Sequence, residues 1–358
     1  MELIFQCFAT AFTLTYFAIP SIIRIALIKN LMDAPVERSS HKESTPSLGG
    51  IAIFAGVIFS VIIWTPTSVF HQVQYLLGSF IIIFLIGAKD DIEPISPSKK
   101  LVAQVLAATI IVVKSHVQLH SFHGFLGVHN SLPPIAYLLV SIFLILVLVN
   151  AFNLIDGING LAGCIGALIS GVLGCWFYLT AQVEYAIISC AVVGSILAFL
   201  RYNFTPAQIF MGDTGSLLIG LICAILIVKF IDFNYNLPLD HAYRFKNSPA
   251  VAIGIMIIPI FDTLRVFTTR MMRGISPFKP DRRHIHHLLI DAGNSHMEAT
   301  WILVFVNSIF ILFVFTFHAS MNMHLLILIM AMAAGALTYI LHKRVLAIKK
   351  QLHLNNAV

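Results

Sequence analysis

Apolar stretches long enough to cross a bilayer recur from one end of this 358-residue chain to the other. They are read at 3–28, 48–65, 73–88, 101–118, 134–152, 161–181, 184–200, 215–232, 249–268, 299–318 and 322–342, with 73–88 and 184–200 the shortest. Inside hydrocarbon a segment of this length must satisfy its backbone hydrogen bonds internally, which it does as a helix. The composition points the same way. Hydrophobic residues make up 58% of the chain, charged residues 11%, and mean hydropathy is +0.91, whereas soluble domains carry about 25% charged residues. The expected fold is therefore all-α: a polytopic integral membrane bundle of about eleven transmembrane helices. It forms one domain over 1–342, followed by a basic tail, 343–358.

The first span does not read as a cleavable leader, because it carries Glu2 in place of a basic start and no small-x-small site follows. All five cysteines fall inside predicted spans without a CxxC pair, so packing is their expected role. Placing the N-terminus outside puts eighteen of the twenty-two Lys and Arg residues, and the C-terminus, on the cytoplasmic side. Only Lys114, Lys229, Arg244 and Lys246 remain outside. That asymmetry obeys the positive-inside rule. The net charge of +6 then reflects topology and attraction to anionic lipid, and no charge-rich surface exists to hold nucleic acid.

With this orientation the polar motifs share the cytoplasmic loops 29–47, 89–100, 153–160, 201–214 and 269–298. An outer loop holds His116, His120, His123 and His129. Their spacing is irregular and no acid accompanies them in the sequence, so a solvated loop is expected there and not a metal site.

Carboxylates are scarce, and three placements stand at the ends of apolar runs: Asp90-Asp91, Asp156 and Asp213. A carboxylate beside hydrocarbon is disfavoured unless it binds a cation or a partner. Asp90-Asp91 could share a divalent ion, or could be a solvated helix end balancing Lys89, Lys99 and Lys100. In the run 150–160, Asn-Gly alone would suit a tight turn, but Asn153 and Asp156 are then surplus, which favours a binding role. Asp213-Thr-Gly-Ser216 reads as a helix start, with Asp213 either the N-cap or a ligand residue beside free N–H groups that suit phosphate. The last loop is cationic, with Asp262, Arg265, Arg270, Arg273 and then Asp281-Arg-Arg-His-Ile-His-His287. Arginine forks and imidazoles suit a diphosphate, and the tight histidine spacing does not suit one tetrahedral zinc.

Together, Asp33-Ala-Pro, Arg38-Ser-Ser-His41, Pro46, Gly49-Gly50, Asp90-Asp91, Asn153-Leu-Ile-Asp156-Gly, Phe210-Met-Gly-Asp213-Thr-Gly-Ser and His284-Ile-His-His287 are similar, in order and spacing, to motifs of a known family. The chain resembles the polyprenyl-phosphate N-acetylhexosamine-1-phosphate transferases, over about residues 33 to 290. Within that family it looks most like the branch that uses UDP-GlcNAc. The resemblance implies transfer of N-acetylglucosamine 1-phosphate from UDP-GlcNAc to undecaprenyl phosphate with release of UMP, the first step of a cell-envelope glycan. It implies Mg2+ (or Mn2+) held by Asp213, with Asp90 the catalytic acid that holds or deprotonates the lipid phosphate and Asp91 assisting it. Asn153, Asp156, Asn203 and Phe210 are expected near the uridine diphosphate, with Phe210 stacking on uracil. Arg265, His284, His286 and His287 are expected to contact phosphate or sugar. Many relatives carry Asp where this chain has Asn159, and a neutral amide there favours a hydrogen bond over a metal contact. The implied partners are a UDP-N-acetyl sugar, undecaprenyl phosphate and the bilayer, with a homodimer allowed. The implied location is the bacterial inner membrane, with the site at its cytoplasmic face. A different donor, UDP-MurNAc-pentapeptide or a 6-deoxy-N-acetylhexosamine, is the alternative within the family. A cation-coupled transporter is the alternative outside it, opposed by acids that sit at one face and not at span centres.

Overall fold

The structure, a computed structural model, describes residues 2–32, 45–276 and 282–355, with side chains as far as Gln351. Asp33, the Arg38–His41 stretch and Asp281 lie outside the described residues. Every apolar segment expected from the sequence is helical. In chain order the helices are α1 (Glu2–Lys29), α2 (Gly49–Trp64), α3 (Thr67–Ile92), α4 (Pro97–Lys114), α5 (Pro134–Ile155), α6 (Leu161–Leu179) and α7 (Val183–Asn203). They continue as α8 (Gly212–Asn236), α9 (Ser248–Ile255), α10 (Ile257–Met272), α11 (Ile285–Asp291), α12 (His296–Phe317) and α13 (Met323–Asn355). Among the described residues there is no strand, and Ser121 and Ser131 form an isolated bridge. The chain is a polytopic membrane bundle.

Among the described residues, eight helices are long and apolar enough to cross a membrane, or nine if α9 and α10 form one span. The expected count of about eleven is reached only with α2, which has 16 residues, and α4, which carries Lys99, Lys100 and Lys114. The segment at 249–268, expected as one span, is broken by 82° between α9 and α10. Pro259, the third residue of α10, supplies a physical cause, since its ring clashes with the preceding turn. Helix α13 continues from its apolar stretch into the basic tail as far as Asn355.

α8 is the axis of the bundle. Its most apolar 18-residue window is 83% buried, against 22% for α1 and α13 at the periphery. A helix apolar all round belongs in such a place. Small residues let neighbours close on its first turn: a Cβ on Gly50 of α2 would stand 2.1 Å from Gly215 N, and one on Gly87 of α3 would stand 2.6 Å from Thr214 Cα. These contacts bring the ends of α2, α3 and α8 to one point.

At the other end of α8 the loop 115–133 is anchored. The His120 ring and backbone N–H both meet Asp232, at 3.0 and 3.2 Å. The His123 side chain is only 4% exposed and stands 3.7 Å from the same carboxylate. The solvated loop expected here is therefore corrected at His123, because tertiary packing supplies the acid that the local sequence lacks.

Candidate active site

The Asp90-Asp91 pair lies in the last turn of α3, not in a loop as expected, so the two side chains point in different directions. Asp91 faces the start of α8. Its Oδ1 accepts the Asp213 N–H at 2.7 Å, and its Oδ2 accepts the Thr214 N–H at 3.0 Å and the Thr214 hydroxyl. The free N–H groups of a helix start are thus capped by a carboxylate from another helix. Asp213, expected as a possible N-cap, is not one. It sits in the first turn of α8, and the capping role belongs to Asp91. Gly212 makes this possible: its φ is +70°, and a Cβ there would come within 2.6 Å of Asp91 Oδ2.

Released from capping, the Asp213 carboxylate faces a cavity of about 510 Å³. Asn153, on the last turns of α5, donates from Nδ2 to Asp213 Oδ1 at 3.1 Å and to Ser216 Oγ at 2.8 Å. Lys100, in the first turn of α4, pairs with Asp213 Oδ2 and lies 2.7 Å from Asp90 Oδ2. Asp90 is itself fixed, because Oδ1 accepts the Ile95 N–H at 2.8 Å. One ammonium therefore joins the acids of α3 and α8. In the sequence Lys100 stands only as one of three lysines that could balance Asp90-Asp91. The usable signal was helical phase: Lys100, Gln104, Ala107, Ala108 and Ile111 form one stripe of α4, and the last four are buried.

The same cavity is lined by Asp90, Asp91, Asn153, Asp156, Asn159, Asn203, Phe210 and Asp213. The turn 156–160 forms one wall. Asp156 opens onto the cavity yet is surrounded by protein, and burial, followed by the nearby charges of Asp213 and Asp91, pushes its carboxyl up to about 8. Asn203 accepts from the Gly160 N–H at 2.7 Å and donates to the Ile209 carbonyl at 2.9 Å. It ties the turn to the segment before α8 while still lining the cavity. Asn159 donates to Thr205 Oγ1 at 3.0 Å, while its Oδ1 is buried without a partner. Phe210 is placed by backbone pairing with the start of α2: its N–H donates to the Pro46 carbonyl at 2.8 Å and its carbonyl accepts from Gly49 at 2.9 Å.

The histidine run stands behind this wall and not in the cavity. Asp262 of α10, buried, accepts from Arg265 Nη2 at 2.8 Å, from His284 Nδ1 at 2.9 Å and from the Ile285 N–H at 3.1 Å. Arg265 also donates to the Arg283 carbonyl. Arg265 and His284 are thus joined through Asp262, and neither they nor His287 lines the cavity. His286 comes nearest. A Cβ on Gly157 would lie 2.2 Å from its Nε2, so the glycine lets the imidazole meet the wall turn. Both His286 ring nitrogens are buried without hydrogen bonds. Burial, reinforced by His287, holds His286 down at about 3. Burial and then Arg282 hold His287 at about 4. Both rings are neutral at pH 7 and able to donate or accept one hydrogen bond at each nitrogen.

Among the described residues no three His, Cys, Asp or Glu side chains converge as a ready metal cluster. The donors of Asp90 and Asp213 are nevertheless hard oxygens already facing one cation, the Lys100 ammonium. That arrangement fits Mg2+, which takes one or two carboxylates and completes its shell with substrate phosphate and water.

Carboxylates, amides and a helix N-terminus thus wall one open cavity at an end of the helical bundle, with neutral imidazoles behind it. Residues 73–231 match the family model for glycosyl transferase family 4. Over 281 residues the chain is 32% identical to the undecaprenyl-phosphate alpha-N-acetylglucosaminyl 1-phosphate transferase of Yersinia pestis, covering 77% of this chain and 74% of the relative. It is 33% identical over 295 residues to a probable undecaprenyl-phosphate N-acetylglucosaminyl 1-phosphate transferase of Bacillus subtilis, covering 81% and 78%. To the Escherichia coli K12 transferase of the first name it is 31% identical over 281 residues. The chain belongs to glycosyl transferase family 4.

Proposed function

We propose that this protein transfers N-acetylglucosamine 1-phosphate from UDP-GlcNAc to undecaprenyl phosphate and releases UMP, at the cytoplasmic face of a bacterial inner membrane. The observation that carries the reading is the junction of Asp90, Lys100, Asp213 and Asn153 at the start of α8, open to a cavity of about 510 Å³. In the reaction an oxygen of the lipid phosphate attacks the phosphorus that bears the sugar. The bond from that phosphorus to the UMP oxygen breaks, and the electron pair leaves with UMP.

A phosphate monoester is already largely ionised at neutral pH, since its second pKa is about 6. No strong base is therefore required, and Asp90, tied to Lys100 and Ile95, fits a charged positioning role better than proton abstraction. Lys100 offers the lipid phosphate or the diphosphate a cation. Asp213, with Asp90 beside it, would hold Mg2+, which when bound supplies charge neutralisation at the diphosphate. Phe210 and the free Oδ1 of Asn159 suit a uracil ring and an N–H donor. His286, neutral, backs the Gly157 turn and so supports the cavity wall on the side proposed for the sugar phosphate of the donor.

The functional test is a panel of radiolabelled UDP-sugars with purified protein, Mg2+ and undecaprenyl phosphate. Labelled lipid from UDP-GlcNAc, and none from UDP-MurNAc-pentapeptide, is expected; efficient use of the pentapeptide donor or of a 6-deoxy sugar alone would overturn the donor assignment. Orientation is tested by cysteine labelling, which should place 92–98 inside and 118–130 outside.

A further inference from the structure

α11, the helix that carries His286 and His287, is seven residues long. A helix that short cannot hold its own shape in water, so its neighbours must. Ile285 and Leu289 anchor one face in the main core, and His286 abuts Gly157. Leu288 and Ala292 lie about 200–240° round the helix from His286, and what they meet is the end of α13. There Leu288, Ala292 and Val345 form a small core of their own, with Leu341 and Ile348 against it.

The contact is selective. Val345 is only 3% exposed, although Lys343, Arg344, Leu346, Ala347, Lys349 and Lys350 around it are exposed. Leu341, Val345 and Ile348 follow the spacing of a single helical stripe. At the rim, Lys349 Nζ donates to Asp291 Oδ2 at 2.9 Å, and Arg282 stands 3.8 Å from the same carboxylate. Asp291 ends α11, so these cations also sit at a helix C-terminus carrying the partial negative charge of its dipole.

We propose that the last turns of α13 are a positioning element of the donor site: they clamp α11 on the face away from Gly157 and so hold His286 against the wall of the cavity. Val345 and Leu288 are positioning residues, acting on the donor only through α11. The carboxylate centre is built from α3, α4, α5 and α8, outside the small core of the clamp, so binding of the lipid phosphate should be independent of it. The inference rests on the UDP-GlcNAc reading for its kinetic effect but not for the docking itself.

The test uses the full chain in lipid nanodiscs. Val345→Asn places a polar group in the small core and Val345→Ile preserves an apolar one. Val345→Asn should raise the KM for UDP-GlcNAc by about tenfold, while kcat and the KM for undecaprenyl phosphate stay within about twofold, the pattern of lost donor binding without lost chemistry. Val345→Ile should behave as wild type. Amide exchange should quicken in 285–292 and remain unchanged in 212–236. The exchange measurement needs no donor, so a wild-type protein that ignores UDP-GlcNAc sinks the functional reading, whereas unchanged exchange in 285–292 sinks the clamp. A parallel loss of kcat and of both KM values, with exchange rising through α8, would also overturn it by showing a purely global role. Should Val345→Asn not fold, Asp291→Lys with Lys349→Asp replaces it: the single changes should raise donor KM and the double exchange should restore it, and absence of that restoration counts against the proposal.

Discussion

α8 carries a carboxylate near each end, Asp213 in its first turn and Asp232 nineteen residues later, about 28 Å away along the helix axis. The two ends resolve the same problem differently. Asp232 is enclosed by partners, with the His120 ring and N–H at 3.0 and 3.2 Å and His123 beside it. It closes a loop onto the bundle. Asp213 has its helix start capped by Asp91, and its own oxygens turn instead to Lys100, Asn153 and an open cavity. A buried acid that is satisfied locally is structural. An acid spared from capping by a second acid is left to bind.

The strongest test of that contrast is a pair of isosteric changes. Asp213→Asn should lower transfer a thousandfold or more, as expected when a charged contact to a diphosphate centre is lost. Asp232→Asn should leave turnover within about threefold. Equal losses, measured as initial rates on folded protein, would erase the distinction between the two ends.

Next in size is Lys100→Met, which removes the cation joining Asp90 and Asp213 while keeping the length of the stem. A loss of about a hundredfold in kcat/KM is expected, corresponding to roughly 3 kcal/mol of electrostatic stabilisation. Retention of most activity would mean that Lys100 only neutralises the acids at rest.

Asp91→Ala should act on structure before chemistry. It strands the Asp213 and Thr214 N–H groups, at a cost of about 1–3 kcal/mol, and thermal unfolding should show it. Asp91→Asn can still accept one of those bonds and should be milder.

Asp156 gives the pH signature. Burial raises its carboxyl to about 8, so it is largely neutral at pH 7 before ligands bind. A raised acid pKa stabilises the fold below the ordinary carboxylate range, and this contribution is lost as pH rises through about 8. If the ionised form engages the ligand, donor binding should strengthen between about pH 7 and 9, and Asp156→Asn should flatten that limb in a binding titration. The smallest effect belongs to the other end of α8: His120→Gln, half exposed, should change stability by no more than about 1 kcal/mol in a melting experiment.

The two ends also differ in how far they could be read from residues alone. Asp90, Asp156 and Asp213 stood out because acids are scarce in an apolar chain, and the three line one cavity. His123 did not stand out, because its partner Asp232 is 109 positions away and nothing local announces it. The capping role of Asp91 is illegible for the same reason: Asp-Thr-Gly-Ser before an apolar run reads equally well as a self-capped helix, and only packing of α3 on α8 delivers Asp91 as the cap.

By itself the sequence determined the class of molecule and the places where helices run, because long apolar stretches in a bilayer have one way to satisfy their backbones. It also determined which side chains were out of place in that setting, because desolvation penalises a charge wherever the chain puts it. The tertiary structure decided the pairings: Lys100 between two acids, Asn203 bonded to the backbone, Asp262 gathering Arg265 and His284, and α13 against the histidine helix. Those depend on which helices touch and in what rotation. Glycines such as Gly157 and Gly212 set that by letting backbones approach, and the approach is a property of two segments together, which neither carries alone.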